Sequence, residues 1–168
     1  MSVLLLPPTS PRGVLLGIDY GTRIIGVALC DASRIITRPL QIIQRTTREA
    51  EFAILRALIA KYEAVGIVVG LPLPMEDDTE GSDSIRALGR TVRRWASRLG
   101  AAVNVPIFLW DERYSSFEAD LQAIERGEPP SRGERLDHHA AAIILEAYLK
   151  AHREQGEPGE KRPDTSDG

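Results

Sequence analysis

The chain has 168 residues, 43% hydrophobic and 27% charged, the composition of an ordinary soluble globular protein with room for one domain and a real core. A net charge of −3 means that any affinity for nucleic acid must rest on local charge patterning, and the single cysteine, Cys30, rules out an intramolecular disulfide and fits a reducing compartment. The N-terminal "MSVLLLPPTSPRG" has one short apolar run before its prolines, too short for a signal peptide or membrane span, so a cytoplasmic protein with no membrane attachment is expected.

Residues 1–12 read as a flexible segment ahead of one domain over 13–152, with a disordered tail over 153–168 that lacks any apolar period. "VLLGID" is a short apolar run stopped by "YGT"; "RIIGVALCD" is a second, rich in β-branched residues, and the Gly-containing gap predicts a hairpin. A third short strand is expected over Arg34–Thr37, after the Asp31-Ala32-Ser33 turn signal. Thr46 followed by Glu49 has capping-box spacing and opens a helix whose Phe52, Leu55, Ile59 and Tyr62 recur at helical intervals. "VGIVVGLP", almost wholly apolar, reads as a central parallel strand.

The polar loop "PMEDDTEGSDS" leads to a helix near Ser84–Leu99, with Ile85, Leu88, Val92, Trp95 and Leu99 as its buried stripe. "VPIFLWDER" is the last strand, "SSFEADLQAIERG" a helix capped by Ser115 or Ser116, and "LDHHAAAIILEAYLKAHREQ" the terminal helix. A hairpin followed by strands alternating with helices predicts an α/β domain built on a mixed sheet.

Carboxylates recur at element ends. Asp19 closes the first strand, Asp111 and Glu112 close the last, and Asp137 opens the terminal helix. Ligands of open α/β sheets sit outside the carboxyl ends of the strands, so these acids should share one edge. Strand alternation sends Phe108, Trp110 and Glu112 to one face and Ile107, Leu109 and Asp111 to the other, so one of the two acids faces Asp19; the pattern does not choose between them. Converging carboxylates repel or recruit a cation, and an oxygen donor set suits Mg²⁺ or Mn²⁺. Two such ions roughly 3.5–4 Å apart can clamp the attacking and leaving oxygens of a phosphodiester.

"GIDYGTRIIGVALCD", "VVGLPL", "EGSDS", "LWDERYSS" and "LDHHAAAIILEAYL" together resemble the YqgF family, also called RuvX, of the RNase H-like superfamily that includes the RuvC Holliday-junction resolvases. The resemblance spans about residues 14–150. It implies an RNase H-like fold, three antiparallel strands and then two parallel ones with helices on both faces, and a nuclease dependent on Mg²⁺ or Mn²⁺. It implies Asp19, Glu112 and Asp137 as catalytic metal ligands. Its substrate would be structured nucleic acid: precursor 16S rRNA near the 5′ end, or four-way junction DNA, cut by a monomer or a homodimer.

Phosphate contacts would come from Gly21 and Thr22 in the hairpin, from Arg86, Arg90 and Arg94 at four-residue intervals, from Arg113, and from the Ser115 hydroxyl. Each has a plainer role: hairpin chemistry, a solvated helix face, an ion pair with a neighbouring acid, and a helix cap. Two other functions fit parts of the chain. Asp-x-Gly-Thr after a strand resembles the phosphate hairpin of actin-like kinases, and the arginines alone would serve a non-catalytic binding module.

Overall fold

The computed structural model describes residues 12–74, 82–113, 127 and 136–154, with the backbone alone at 136–138 and 154. Strands β1 (Leu15–Tyr20) and β2 (Ile24–Cys30) form the expected hairpin, closed by the Gly21 N–H donating to Ile24 O at 2.9 Å. The rest follow as β3 (Thr37–Gln44), α1 (Arg48–Tyr62), β4 (Gly66–Leu71), α2 (Ser82–Ala102), β5 (Ile107–Asp111) and α3 (Leu136–Glu154). The sheet order is β3-β2-β1-β4-β5: β1 pairs antiparallel with β2 and parallel with β4, and β4 pairs parallel with β5. This five-stranded mixed sheet is the RNase H-like arrangement that the resemblance implies.

β3 lies later than the sequence suggested. Asp31 Oδ1 accepts the N–H groups of Ile35 and Ile36 at 2.9 and 2.7 Å, and Arg34 takes a left-handed φ of 60°. Those bonds hold Ile35 and Ile36 in a turn, largely exposed, and pairing starts only at Thr37 opposite Cys30. Pro39 hides the strand from a pattern reading; it is tolerated because β3 is an edge and the register shifts opposite Val27/Ala28. The α1 cap is also one residue later than expected: Thr47, not Thr46, accepts the Ala50 N–H at 3.2 Å.

Alternation divides the core into two faces. Leu16, Ile18, Ile67, Val69 and Ile107 pack against Phe52, Leu55 and Leu58 of α1 and Val92, Trp95 and Leu99 of α2. On the other face Leu15, Val68 and Phe108 pack against Ile144, Leu145, Tyr148 and Leu149 of α3. Each fully buried aliphatic side chain contributes about 1.5–3 kcal/mol over leaving it exposed. The predicted α2 stripe is buried at Val92, Trp95 and Leu99 and half-buried at Ile85 and Leu88. Cys30 is a buried thiol whose sulfur accepts the Leu15 N–H at 3.2 Å, and burial raises its pKa. Among the described residues no helix is long and apolar enough to cross a membrane.

Candidate active site

Asp19 shares its strand face with Leu15 and Gly17, and that is the face α3 covers. The approach is close: a Cβ on Gly17 would stand 2.8 Å from both Ala141 O and Leu145 Cβ. The direction of α3 follows from its contacts. Ala141 lies over Gly17, while Arg153 donates to Arg34 O, and Arg34 Nε in turn reaches Gly13 O just ahead of β1. The helix therefore starts near the carboxyl end of β1 and runs toward its amino end. Asp137, the second residue of α3, stands one turn beyond Ala141, about 6 Å along the axis. Asp19 lies two residues beyond Gly17, a nearly equal rise of about 6.6 Å. The backbone thus carries both positions to the same edge; the Asp137 side chain is outside the described residues.

The alternative that alternation left open at β5 is resolved. Glu112 follows Phe108 and Trp110 onto the α3 face and lies across Gly70 of β4, the residue next to Asp19 in the sheet. A Cβ at Gly70 would collide with Glu112 Oε1 and would come within 2.6 Å of Ile144 Cδ1. A side chain at Gly70 would thus have to push the Glu112 carboxylate and the Ile144 tip out of their places. Burial pushes the Glu112 carboxyl up to about 7, and the negative charges of Asp19 and then Asp111 add to the shift. Asp111 is engaged elsewhere: Arg113 grips it with Nη2 at 2.7 Å, Nε at 3.0 Å and its backbone N–H at 3.0 Å.

The other expected contacts are dispersed. The Gly21 N–H is taken up by Ile24 O, and Thr22 stands exposed at the hairpin tip. Arg113 also donates from Nη1 to Pro74 O at 3.2 Å, so its fork is largely occupied. Arg86, Arg90 and Arg94 are exposed on the outer side of α2, across the sheet from α3, and are not brought beside the acids. Arg86 lies 3.9 Å from Asp83. Ser115, and the helix expected over 115–127, fall outside the described residues except for Gly127.

Sequence reasoning missed a buried ion pair beside the hairpin. Glu51 is only 1% exposed and accepts Arg45 Nε at 2.9 Å and Trp95 Nε1 at 3.2 Å. The signal was present, because Glu51 falls on the buried stripe with Leu55 and Leu58, at helical spacing.

A family model described as RuvX, Holliday junction resolvase, matches residues 13–151. A protein of Novosphingobium aromaticivorans is 42% identical over 141 residues, 83% of this chain and 86% of that one. One from an Anaeromyxobacter species is 41% identical over 136 residues, 80% of this chain and 94% of that one. Both are named "Putative pre-16S rRNA nuclease". Among solved structures, Thermus thermophilus RuvC in complex with a Holliday junction substrate aligns over 84% of this chain and 96% of its own, at 14% identity and a TM-score of 0.47. The yeast mitochondrial Holliday junction resolvase aligns over 88% and 85%, at 14% identity and a TM-score of 0.43. The match over residues 13–151, with relatives above 40% identity, shows that this chain belongs to the RuvX family.

Proposed function

We propose that the protein is a divalent-metal nuclease that cuts structured precursor 16S rRNA near its 5′ end. The observation that carries this reading is Glu112 folded over Gly70 beside Asp19, at the edge to which α3 also brings Asp137. The donor chemistry fits a hard cation: carboxylate oxygens, with Glu112 raised toward neutrality by burial and then by the charge of Asp19 beside it. Among the described residues no group of three or more His, Cys, Asp or Glu side chains comes together, and the third acid of this reading is the one whose side chain lies outside them.

Asp19, Glu112 and Asp137 would hold Mg²⁺ or Mn²⁺. Such ions, when bound, offset the charge of the scissile phosphate and lower the pKa of the attacking water. Glu112 must lose its proton to serve as a ligand, and Gly70 leaves the space in which its carboxylate lies. Arg86, Arg90 and Arg94 would bind phosphates of the flanking strand, with Arg86 toward the α2 end that packs by Pro72 at the close of β4. Thr22, exposed at the hairpin tip, would donate its hydroxyl to a phosphate. A second reading, cleavage of four-way junction DNA, is favoured by the description of the matching family, and symmetric cuts would then require a homodimer.

Side-by-side cleavage of a labelled pre-16S fragment and a mobile four-way junction, with Mg²⁺ or Mn²⁺, tests both. Asp19→Asn is expected to abolish cleavage while leaving the circular dichroism spectrum and melting transition in place. Cleavage by Asp19→Asn at the wild-type rate would overturn the assignment.

A further inference from the structure

The β1–β2 turn follows Asp19 immediately, and beyond Asp19 the β1–β2 ladder has one more pair, Tyr20 with Ile25. What fixes the turn therefore fixes Asp19. Arg45, just after β3, clasps it at three points. Its backbone N–H donates to Arg23 O at 3.0 Å, its Nη1 donates to Gly21 O at 3.1 Å, and its guanidinium lies over the Tyr20 ring at 4.3 Å. The guanidinium is itself aimed from behind by Glu51, whose second oxygen is held by Trp95 of α2. Trp95 completes the circuit edge-on against Tyr20, with ring centroids 5.2 Å apart. Arg45 is only 22% exposed and Glu51 1%, so this is a built, multiply bonded cluster rather than a surface ion pair.

We propose that Arg45 is a positioning residue that sets the β1–β2 turn, and through it the place of Asp19 in the cation site. This rests on the metal-site reading above. A lysine could neutralise Glu51 but lacks the planar fork that bonds Glu51 and Gly21 O together. Stability and positioning are thereby separable.

The test uses the full chain with Arg45→Lys, the double variant Arg45→Met with Glu51→Gln (which leaves no buried unpaired carboxylate), and Asp19→Asn in parallel. Three quantities are read: Mn²⁺ affinity by calorimetry, amide exchange at Gly21, and kcat and KM for the cleaved substrate. In the double variant, Gly21 exchange should rise and Mn²⁺ affinity fall, each by roughly tenfold, with kcat lowered and KM within about twofold of wild type. Arg45→Lys should melt near the wild-type temperature yet retain part of all three defects. If the variants lose stability while Gly21 exchange and Mn²⁺ affinity match wild type, Arg45 is merely structural and the proposal is overturned. If wild type binds no Mn²⁺, or Asp19→Asn binds it equally well, the metal-site reading fails and this proposal falls with it. Failure of Arg45 alone leaves the Asp19→Asn defect intact, which tells the two failures apart.

Discussion

Gly70 controls where a carboxylate can go. Its missing Cβ is the space that Glu112 occupies, bounded by Ile144. Gly70→Ala should lower the single-turnover cleavage rate about tenfold or more, equivalent to about 1.4 kcal/mol in the barrier, while nucleic-acid affinity holds. A rate within about twofold of wild type would show that the Glu112 position does not matter to the chemistry. At this scale the sequence was half legible. Asp19 and the Asp111-Glu112 pair stand out because acids at the ends of apolar runs need a partner. Choosing between the pair needed the face that α3 covers, and the clue was the parity of Gly17 with Asp19, because small residues mark where a helix comes close. Helical spacing put Glu51 on the buried stripe of α1, but its partners, Arg45 just after β3 and Trp95 of α2, lie elsewhere in the chain, and no local spacing reveals that they meet it.

Among the elements, α2 joins an inner apolar stripe to an outer row of Arg86, Arg90, Arg94 and Arg98, all exposed. The row spans about 18 Å of helix. If it tracks phosphates, Arg90→Ala with Arg94→Ala should weaken binding of every nucleic acid alike and flatten the log–log salt dependence by about two units, read by fluorescence anisotropy at several salt concentrations. An unchanged slope would return the row to an ordinary solvated face. The described helices were read well because their apolar periods are long and regular. β3 was not, since Pro39 and the exposed Ile35-Ile36 pair break the alternation that marks a strand, and the tertiary edge position that tolerates Pro39 is invisible in the chain.

For the whole molecule, two carboxylates pull stability in opposite directions with pH. Asp31, held down to about 2 by the Ser33 hydroxyl and the amides of Ile36 and Ile35, stabilises the fold above its ordinary value of 3.8 and loses that contribution as pH falls toward 2. Glu112 is raised from 4.5 to about 7, so the cation-free fold is favoured while it is protonated and loses stability as pH climbs through that interval. The full loss is on the order of 3 kcal/mol, or roughly 5–10 °C of melting temperature. Cation-free protein should therefore melt highest near pH 4–5 and lower at pH 8, where either Mg²⁺ or Glu112→Gln raises it again. A pH-independent melting temperature between 5 and 8 would contradict the burial of Glu112 beside Asp19.

The close seat of α3 on Gly17 joins the first strand of the domain to its last helix. During synthesis, a chain that has emerged only through β5 already carries Asp19 and Glu112, yet its Leu15, Val68 and Phe108 lie bare and Asp137 has still to be made. If Asp137 is the third ligand, the proposed cation site cannot assemble on a nascent chain until α3 has been made and has closed over Gly17.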